Sequence, residues 1–297
     1  MPPRPDNLKT SDRLRRRCLA AVSLLPLMPF APTLQAQELT DLARVRANGV
    51  LKVAVYKDNP PFSSGPAGAM TGLDVSLAQA LARQLGVSLS LLPFDAGENM
   101  NDDLRNMVWR GHYLGYGPAD VMLQVPVDRF LMNENPQVLI FAPYMRQVPV
   151  LLFDTHWLAG IRGPEDLKGL PVVVERGTAQ ASLLMGYRGG MLRDQVSIQI
   201  SGPAAAQQVV EGKAAAAYIT RAQAESVLAT LNPRPAHFQL TELVLGNILD
   251  RGWPVGMAIK ASHKELGQAL EAAMQQLRSS GELLAIFRQH GLTLTAP

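Results

Sequence analysis

Short apolar runs alternate with longer segments of helical period along most of the chain. The first run, residues 51–56, reads Leu-Lys-Val-Ala-Val-Tyr. The Asp-Asn-Pro-Pro stretch at 58–61 cannot continue a strand, because proline lacks the N–H that a central strand needs. A helix is then predicted with Asp74 as its N-cap, Leu77, Leu81 and Leu85 on one face, and Gly86 at its end.

The same order of elements is repeated further along the chain. Strands are predicted near residues 87–91, 119–123, 137–141 and 148–153, and after residue 164 near 171–174, 196–200 and 215–219. Helices are predicted through 183–184 and 204–210, and two more over 264–289, broken around Gly281. Strands that alternate with helices are typical of α/β construction with largely parallel strands, and the repetition predicts a second α/β lobe.

The N-terminal segment has the pattern of an export signal. Arginines at 13 and 15–17 precede an apolar run at 18–30, and a small residue, Ala36, follows. This order predicts a cleaved signal peptide over residues 1–36 and a periplasmic protein with no membrane insertion after cleavage. A membrane anchor would need about 20 apolar residues, and this run is shorter and interrupted by Pro26 and Pro29. Export through the general or the twin-arginine pathway stays open.

Charge and cysteine content depend strongly on that segment. The chain has 28 Lys and Arg, 25 Asp and Glu and a net charge of +3, but six of the bases and two of the acids precede residue 37. Residues 37–297 therefore carry 22 bases and 23 acids, without the clustered basic residues of a nucleic-acid-binding surface. Cys18 is the only cysteine, so neither disulfides nor thiolate metal ligands are expected after cleavage.

Several short segments, in their order and spacing over residues 45–290, resemble the bacterial periplasmic solute-binding proteins of the amino-acid-binding type (family 3). The matching segments are residues 49–55, 59–63, 72–75, 119–121, 142–144, 165–169, 177–178 and 256–260. The resemblance implies the type II fold, in which two lobes, each a mostly parallel sheet flanked by helices, are joined by a crossover hinge. It places lobe I at 37–144, completed by 255–297, and lobe II at 145–254.

The resemblance also implies a ligand held in the cleft between the lobes. By position, Tyr56 and Phe62 would form an aromatic wall, and the Gly177–Thr178 turn would bind an oxygen atom through its N–H groups and hydroxyl. The other candidate ligand-binding residues are Gln124, Arg129 and Thr220. Core packing is an equal alternative for the two aromatic residues, an ordinary tight turn for Gly177, and a solvated surface position for Arg129.

Two positions distinguish this chain from the usual family pattern. Ala215 and Thr220 stand where the family commonly has acidic residues, one of which binds the amino group of the ligand. A buried amine without a carboxylate would cost several kcal/mol. We therefore expect a ligand that is not an ordinary amino acid, and expect neutral or anionic compounds to bind better.

The segment at residues 109–118 carries three glycines and three aromatic residues, Trp109, Tyr113 and Tyr116. It is similar to the MoxJ/XoxJ type of solute-binding-like protein, which is associated with quinoprotein (PQQ-dependent) alcohol or methanol dehydrogenases and their cytochrome c. That similarity implies an accessory or maturation role in which the three aromatic residues bind a partner. A decorated loop without a partner is the alternative, and an ABC permease is the partner that a transport role implies.

Enzyme motifs are poor in this sequence. It lacks a phosphate-binding Gly-Lys-Ser/Thr loop, His-Glu-x-x-His and Gly-x-Ser-x-Gly, and its five histidines show no metal-ligand spacing. We therefore predict a monomeric, non-enzymatic protein with no catalytic residues, cofactor or metal. An enzyme on the same scaffold is kept as a minor alternative.

Overall fold

The computed structural model describes residues 40–246 and 251–297. The predicted signal peptide lies outside the described residues. Within these ranges, no helix is both long enough and apolar enough to cross a membrane.

The strands are β1 (Val50–Tyr56), β2 (Ser88–Phe94), β3 (Val121–Pro126), β4 (Val138–Gln147), β5 (Pro149–Asp154), β6 (Val172–Glu175), β7 (Val196–Gln199), β8 (Ala216–Thr220), β9 (Phe238–Thr241) and β10 (Trp253–Lys260). The α-helices are α1 (Asp41–Asn48), α2 (Leu73–Leu85), α3 (Met100–Leu104), α4 (Arg129–Glu134), α5 (Ala179–Gly186), α6 (Gly202–Val210), α7 (Arg221–Leu228), α8 (Lys264–Ser279) and α9 (Glu282–Gln289).

The strands form two five-stranded sheets of similar plan. The first has the order β2-β1-β3-β10-β4 and the second the order β7-β6-β8-β5-β9. In each sheet three strands are parallel, as the βα alternation predicts. The antiparallel pairs in each sheet involve β10 or β5, the strand that enters just after the chain has crossed between the sheets. The predicted two-lobed α/β architecture is confirmed, with mixed sheets.

Helix α2 begins one residue before the predicted cap. Gly72 occupies the N-cap position with φ 128° and Leu73 is the first helical residue, so the prediction of Asp74 as N-cap is wrong. A Cβ atom at Gly72 would lie 2.3 Å from the carbonyl oxygen of Phe62, which explains why glycine is required there. Asp74 points into the protein interior, where it is fully buried. Gly86 ends the helix in the left-handed conformation, as predicted.

The core of the first lobe is formed by β1, α2 and the C-terminal helices. Leu77 and Leu81 of α2 are fully buried, and so are four apolar residues on one face of α8. Those four are Leu266, Leu270, Met274 and Leu277. Burying a side chain of this size contributes about 1.5–3 kcal/mol, so this interface is a main source of stability for the lobe.

The chain passes between the sheets twice. The first crossing follows Gln147 at the end of β4, and the second lies between Thr241 and Trp253. Trp253 pairs with Gln147 in the first sheet, and a Cβ atom at Gly252 would lie 1.9 Å from the Gln147 carbonyl oxygen. The two crossings are thus in close contact. The lobe boundaries at 144/145 and 254/255 remain predictions, and the first sheet includes Gln147 and Trp253.

Candidate ligand-binding cleft

A cavity of about 150 Å³ lies between the two lobes, beside the crossings. The first lobe contributes the loop after β1, the crossings contribute one residue each, and the second lobe contributes the ends of β6 and β8 and the starts of α5 and α7. The lining residues are Asn59, Phe62, Gln147, Glu175, Thr178, Gln180, Tyr218, Ile219, Thr220, Gln223 and Trp253. Aromatic rings and polar side chains therefore share one enclosure, as in sites for small polar molecules.

Glu175 places a carboxyl group in this cavity. It is the last residue of β6; its Oε2 accepts a hydrogen bond from Gln223 Nε2 at 2.8 Å, and the carboxylate also accepts one from the N–H of Gly202, at the start of α6. Burial raises the pKa of Glu175 above its usual value, while the two hydrogen bonds oppose the rise. Because an ionised carboxylate can accept about four hydrogen bonds, Glu175 keeps the capacity to bind a ligand donor or cation.

Two side-chain amide atoms of lining residues are among the polar atoms that have no hydrogen-bond partner in the described part of the chain. They are the buried Nε2 of Gln180, a donor, and the buried Oε1 of Gln147, an acceptor. A buried polar group left unpaired costs about 1–3 kcal/mol. A polar molecule bound in this cavity would complete the hydrogen bonding of this donor and this acceptor.

The cavity includes three of the predicted ligand-binding residues, Phe62, Thr178 and Thr220. Phe62 is only 1% exposed and also belongs to the core of the first lobe, so the core-packing alternative is confirmed, while contact of its ring with a ligand stays a prediction. The Thr178 hydroxyl caps α5: it accepts the N–H of Ala181 at 3.2 Å and donates to the carbonyl of Glu175 at 2.9 Å. The Thr178 hydroxyl therefore already makes two hydrogen bonds within the protein.

Gly177 precedes this cap with φ 75°. No heavy atom lies within 4 Å of the position of a Cβ atom there, so the backbone conformation rather than space favours glycine. Gly177 does not itself line the cavity. Its role as a ligand-binding residue stays a prediction.

Tyr56 faces a neighbouring cavity of about 270 Å³ at the ends of β1 and β2. Its hydroxyl donates to Asp103 Oδ2 at 2.7 Å, and its ring lies 4.6 Å from that of Phe94. Burial raises the pKa of both Tyr56 and Asp103. Only Asn59 lines both cavities, so Tyr56 is adjacent to the cleft without entering it.

Gln124 lies behind the cleft wall. It has φ 61°, and its side chain donates to Asp74 Oδ1 at 3.2 Å and accepts from Gln147 Nε2 at 3.3 Å. Tyr144 also donates to Asp74 Oδ1, at 3.2 Å. The Gln124 side chain thus helps to position the side chain of Gln147, which lines the cavity. Arg129 is an exposed residue at the start of α4 and does not line the cavity.

The sequence analysis missed several polar and aromatic residues that line the cavity. They are Asn59, Gln147, Glu175, Gln180, Tyr218, Gln223 and Trp253. Two of them had a local signal: Asn59 belongs to the Asn-Pro-Pro-Phe segment, and Glu175 stands two residues before Gly177. Gln147 and Trp253 are 106 residues apart in number and meet only because the two crossings pair. That contact has no signature in a single sequence.

The three aromatic residues of the 109–118 segment are not equally accessible. Trp109 and Tyr116 are half-buried against the first sheet, and the Tyr116 ring stacks on His112 with centroids 4.3 Å apart. Tyr113 is 88% exposed and Leu114 is 68% exposed. A partner could therefore contact the tip of the segment, whereas Trp109 and Tyr116 mainly hold it on the lobe.

Comparison with known proteins supports the architecture. No family model matches the chain. An ancestral cationic amino acid solute-binding protein has a TM-score of 0.66 at 21% identity, over 84% of this chain and 99% of that one. The fold is that of the two-lobed solute-binding proteins. A second structure with this solute-binding fold, an amino acid ABC transporter substrate-binding protein of Streptococcus pneumoniae bound to L-arginine, has a TM-score of 0.60 at 18% identity and covers 86% of this chain and 100% of that one.

Two curated proteins are similar in sequence as well. The L-cystine-binding protein TcyJ of Escherichia coli is 27% identical over 250 residues, which cover 82% of this chain and 84% of that protein. The cyclohexadienyl dehydratase of Pseudomonas aeruginosa is 27% identical over 204 residues, which cover 67% of this chain and 69% of that enzyme. Both binding and catalysis are therefore represented among the relatives.

Proposed function

We propose that this protein is a periplasmic solute-binding protein whose lobes close on a small polar organic molecule. The observation that carries the proposal is the cavity between the lobes, where the Glu175 carboxylate and the unpaired amide atoms of Gln147 and Gln180 meet aromatic rings. Relatives whose names describe solute binding support it. Closure of two lobes over a ligand is a known motion of hinged proteins.

The charge of the cavity favours a neutral or cationic ligand. Glu175 lines it, whereas none of its described lining residues is Lys or Arg. The acid missing at positions 215 and 220 is thus replaced in function by Glu175, and the expected preference for anions loses its basis. An α-amino acid would find a partner for its amine but only N–H and amide groups for its carboxylate. We infer that small amines and neutral polar compounds bind better than zwitterionic amino acids.

A thermal-shift and calorimetric screen tests this proposal. Amines, neutral polar compounds, α-amino acids and carboxylic acids are compared with wild type, with Glu175→Gln, and with the control Glu211→Gln, which changes an acid outside the cavity. A ligand at 100 times its Kd adds about 2.7 kcal/mol of stability. We expect an amine or neutral compound to raise Tm, and Glu175→Gln to remove that effect for amines.

The control variant should behave as wild type. If no compound of any class raises Tm, solute capture is wrong. If a carboxylic acid binds most tightly, the assignment of Glu175 as the determinant of ligand charge fails while solute binding stands.

Catalysis on the same scaffold is the second candidate, favoured by one observation. Glu175 is a carboxyl group in a cleft with a pKa raised by burial, which is a property of catalytic acids, and one relative is a dehydratase. We infer a binding role because no second carboxylate, no lysine and no histidine lines the cavity among the described residues. Turnover of a bound compound that is abolished by Glu175→Gln would establish the enzyme instead.

An accessory role on a quinoprotein dehydrogenase or its cytochrome c rests on the exposed tip of the 109–118 segment. Replacing Tyr113 and Leu114 with serine keeps Trp109 and Tyr116, which pack on the lobe. Co-purification of such a dehydrogenase from periplasm, lost in this double variant, would support the role. Adjacent permease and ATPase genes, with binding unaffected by the variant, would support transport.

The periplasmic location is tested by N-terminal sequencing of protein from the periplasmic fraction. Cleavage after Ala36 predicts a mature chain that begins at Gln37. An intact N-terminus in a cytoplasmic fraction would contradict this part of the proposal.

A further inference from the structure

Two histidines and an aspartate come together at the end of the second sheet farthest from the cleft. Asp154 is the last residue of β5, His156 follows it in a turn, and His237 immediately precedes β9. One ligand atom from each residue lies within 4.8 Å of the others. Asp154 is five residues along β5 from Pro149, which pairs with Thr220 at the cleft, so about 17 Å of strand separates the cluster from the cavity.

The backbone around this cluster is fixed. Asp154 pairs with Phe238 in the β5–β9 ladder, and the N–H of Thr155 donates to the carbonyl of His237 at 2.9 Å. Asp154 is only 6% exposed, and its Oδ1 accepts the backbone N–H of His156 at 2.9 Å. The two segments that carry the histidines are therefore held next to each other whether or not the side chains interact.

The His156 side chain has the freedom that coordination would need. His156 Nδ1 lies 3.0 Å from Asp154 Oδ1, and its side chain is 70% exposed. The rings of His156 and His237 have centroids 4.3 Å apart at an interplanar angle of 42°. The three donor atoms lie within 4.8 Å of one another, whereas donors bound tetrahedrally at about 2.1 Å from a metal are roughly 3.4 Å apart. Coordination would therefore require a rotation of the exposed His156 ring.

The chemistry of the donors points to a transition metal. Two imidazole nitrogens with one carboxylate oxygen suit Zn²⁺, Cu²⁺ or Ni²⁺, whereas Ca²⁺ and Mg²⁺ prefer oxygen ligands throughout. Three protein ligands on a solvent-facing edge leave at least one coordination position for water or another donor. His156 and His237 are 81 positions apart in the sequence, so no short spacing motif reveals the site.

We propose that Asp154, His156 and His237 form a binding site for a divalent transition-metal ion on the second lobe, separate from the ligand cleft. The ion would tie the turn after β5 to the start of β9, so metal binding should stabilise the second lobe. Metal binding at this site would not depend on which solute the cleft binds.

Zinc titration of untagged protein, first treated with EDTA and dialysed, tests the site. Calorimetry with ZnCl₂ is carried out on wild type, His156→Gln, His237→Gln and the control His112→Gln, which changes a histidine of the first lobe. We expect one Zn²⁺ per chain in wild type and in the control, and binding at least about tenfold weaker in each site variant. Metal binding requires neutral imidazole, so the affinity should also fall in acid.

Circular dichroism checks that each variant remains folded, and Asp154→Asn, which keeps an acceptor for the His156 N–H, provides a third site variant. The proposal is overturned if wild type binds no stoichiometric Zn²⁺, or if folded His156→Gln and His237→Gln bind it as tightly as wild type. Loss of binding in His112→Gln alone would place the ion elsewhere and also overturn it.

Discussion

The fully buried Asp74 should make the stability of the protein fall as the pH rises, and the substitution Asp74→Asn should remove that dependence. Burial raises the pKa of Asp74 from 3.8 to about 7, although hydrogen bonds from Gln124 and Tyr144 oppose the rise. The unfolded chain therefore ionises Asp74 near pH 3.8, whereas the folded protein keeps it protonated up to about pH 7. Stability is highest below the lower value and is lost between the two.

The magnitude follows from the size of the shift. One pKa unit corresponds to about 1.36 kcal/mol, so the free energy of unfolding loses about 4 kcal/mol through Asp74 between pH 3.8 and 7. Over the range from pH 5 to pH 8, the loss through Asp74 is about 3 kcal/mol. The side chain of Asn resembles protonated Asp in this site: its oxygen can accept the same two hydrogen bonds, and Oδ2, which it replaces, has no hydrogen-bond partner among the described residues.

Urea unfolding of wild type and Asp74→Asn at pH 5, 6, 7 and 8 measures the effect. We expect the variant to gain about 3 kcal/mol relative to wild type between pH 5 and 8. Other groups with shifted pKa values, such as Glu175, His263 and His290, are common to both proteins and cancel in the difference. A difference that stays constant over this range would refute the reasoning, because Asp74 would then have the same pKa in the folded and unfolded states.

Three further predictions concern the fold and the cleft. Gly72→Ala should lower the free energy of unfolding, measured in urea, by more than ~2 kcal/mol, because the position has φ 128° and no room for a Cβ atom. In the control Gly86→Ala, the new Cβ atom would have no heavy atom within 4 Å, so the substitution should cost about 1–2 kcal/mol. Thr178→Ala removes the cap of α5 and should lower the free energy of unfolding by about 1 kcal/mol, with equal ligand affinity; a large loss of affinity would show that the hydroxyl contacts the ligand. The Kd of a cationic ligand should decrease as the pH rises through the raised pKa of Glu175, and calorimetry should find no such trend in Glu175→Gln.

The fold could be predicted because its core follows simple periods. The buried strand β5 is an almost continuous apolar run, and the leucines of α2 and α8 recur at helical spacing. Helix α7, Arg221–Leu228, was missed because it carries buried polar residues, Gln223 and Glu225, on its inner face. Those residues read as solvent-exposed in sequence, and only the tertiary structure shows their partners.

The site was predicted less well, because its polar residues are defined by contacts between distant segments. Of the predicted ligand-binding residues, Phe62, Thr178 and Thr220 line the cavity, whereas the hydroxyl of Tyr56 is hydrogen-bonded to Asp103 outside it. Glu175 was overlooked although it stands at the carboxyl end of a parallel strand, where α/β sheets commonly bind ligands. Attention to strand ends, rather than to family positions alone, would have found it.

The C-terminal tail connects the lobes in addition to the two crossings. The N–H of Thr293 donates to Glu225 Oε2 on α7 of the second lobe at 2.7 Å, and the N–H of Arg146, near the crossings, donates to the carbonyl of Thr295 at 2.9 Å. A hydrogen bond to a charged group contributes about 1.5–3 kcal/mol. Rotation of one lobe must therefore either keep Thr293 and Glu225 near the axis or break this bond. In the second case the ligand must supply that energy through its preference for the closed state, and the tail would set part of the affinity without touching the ligand.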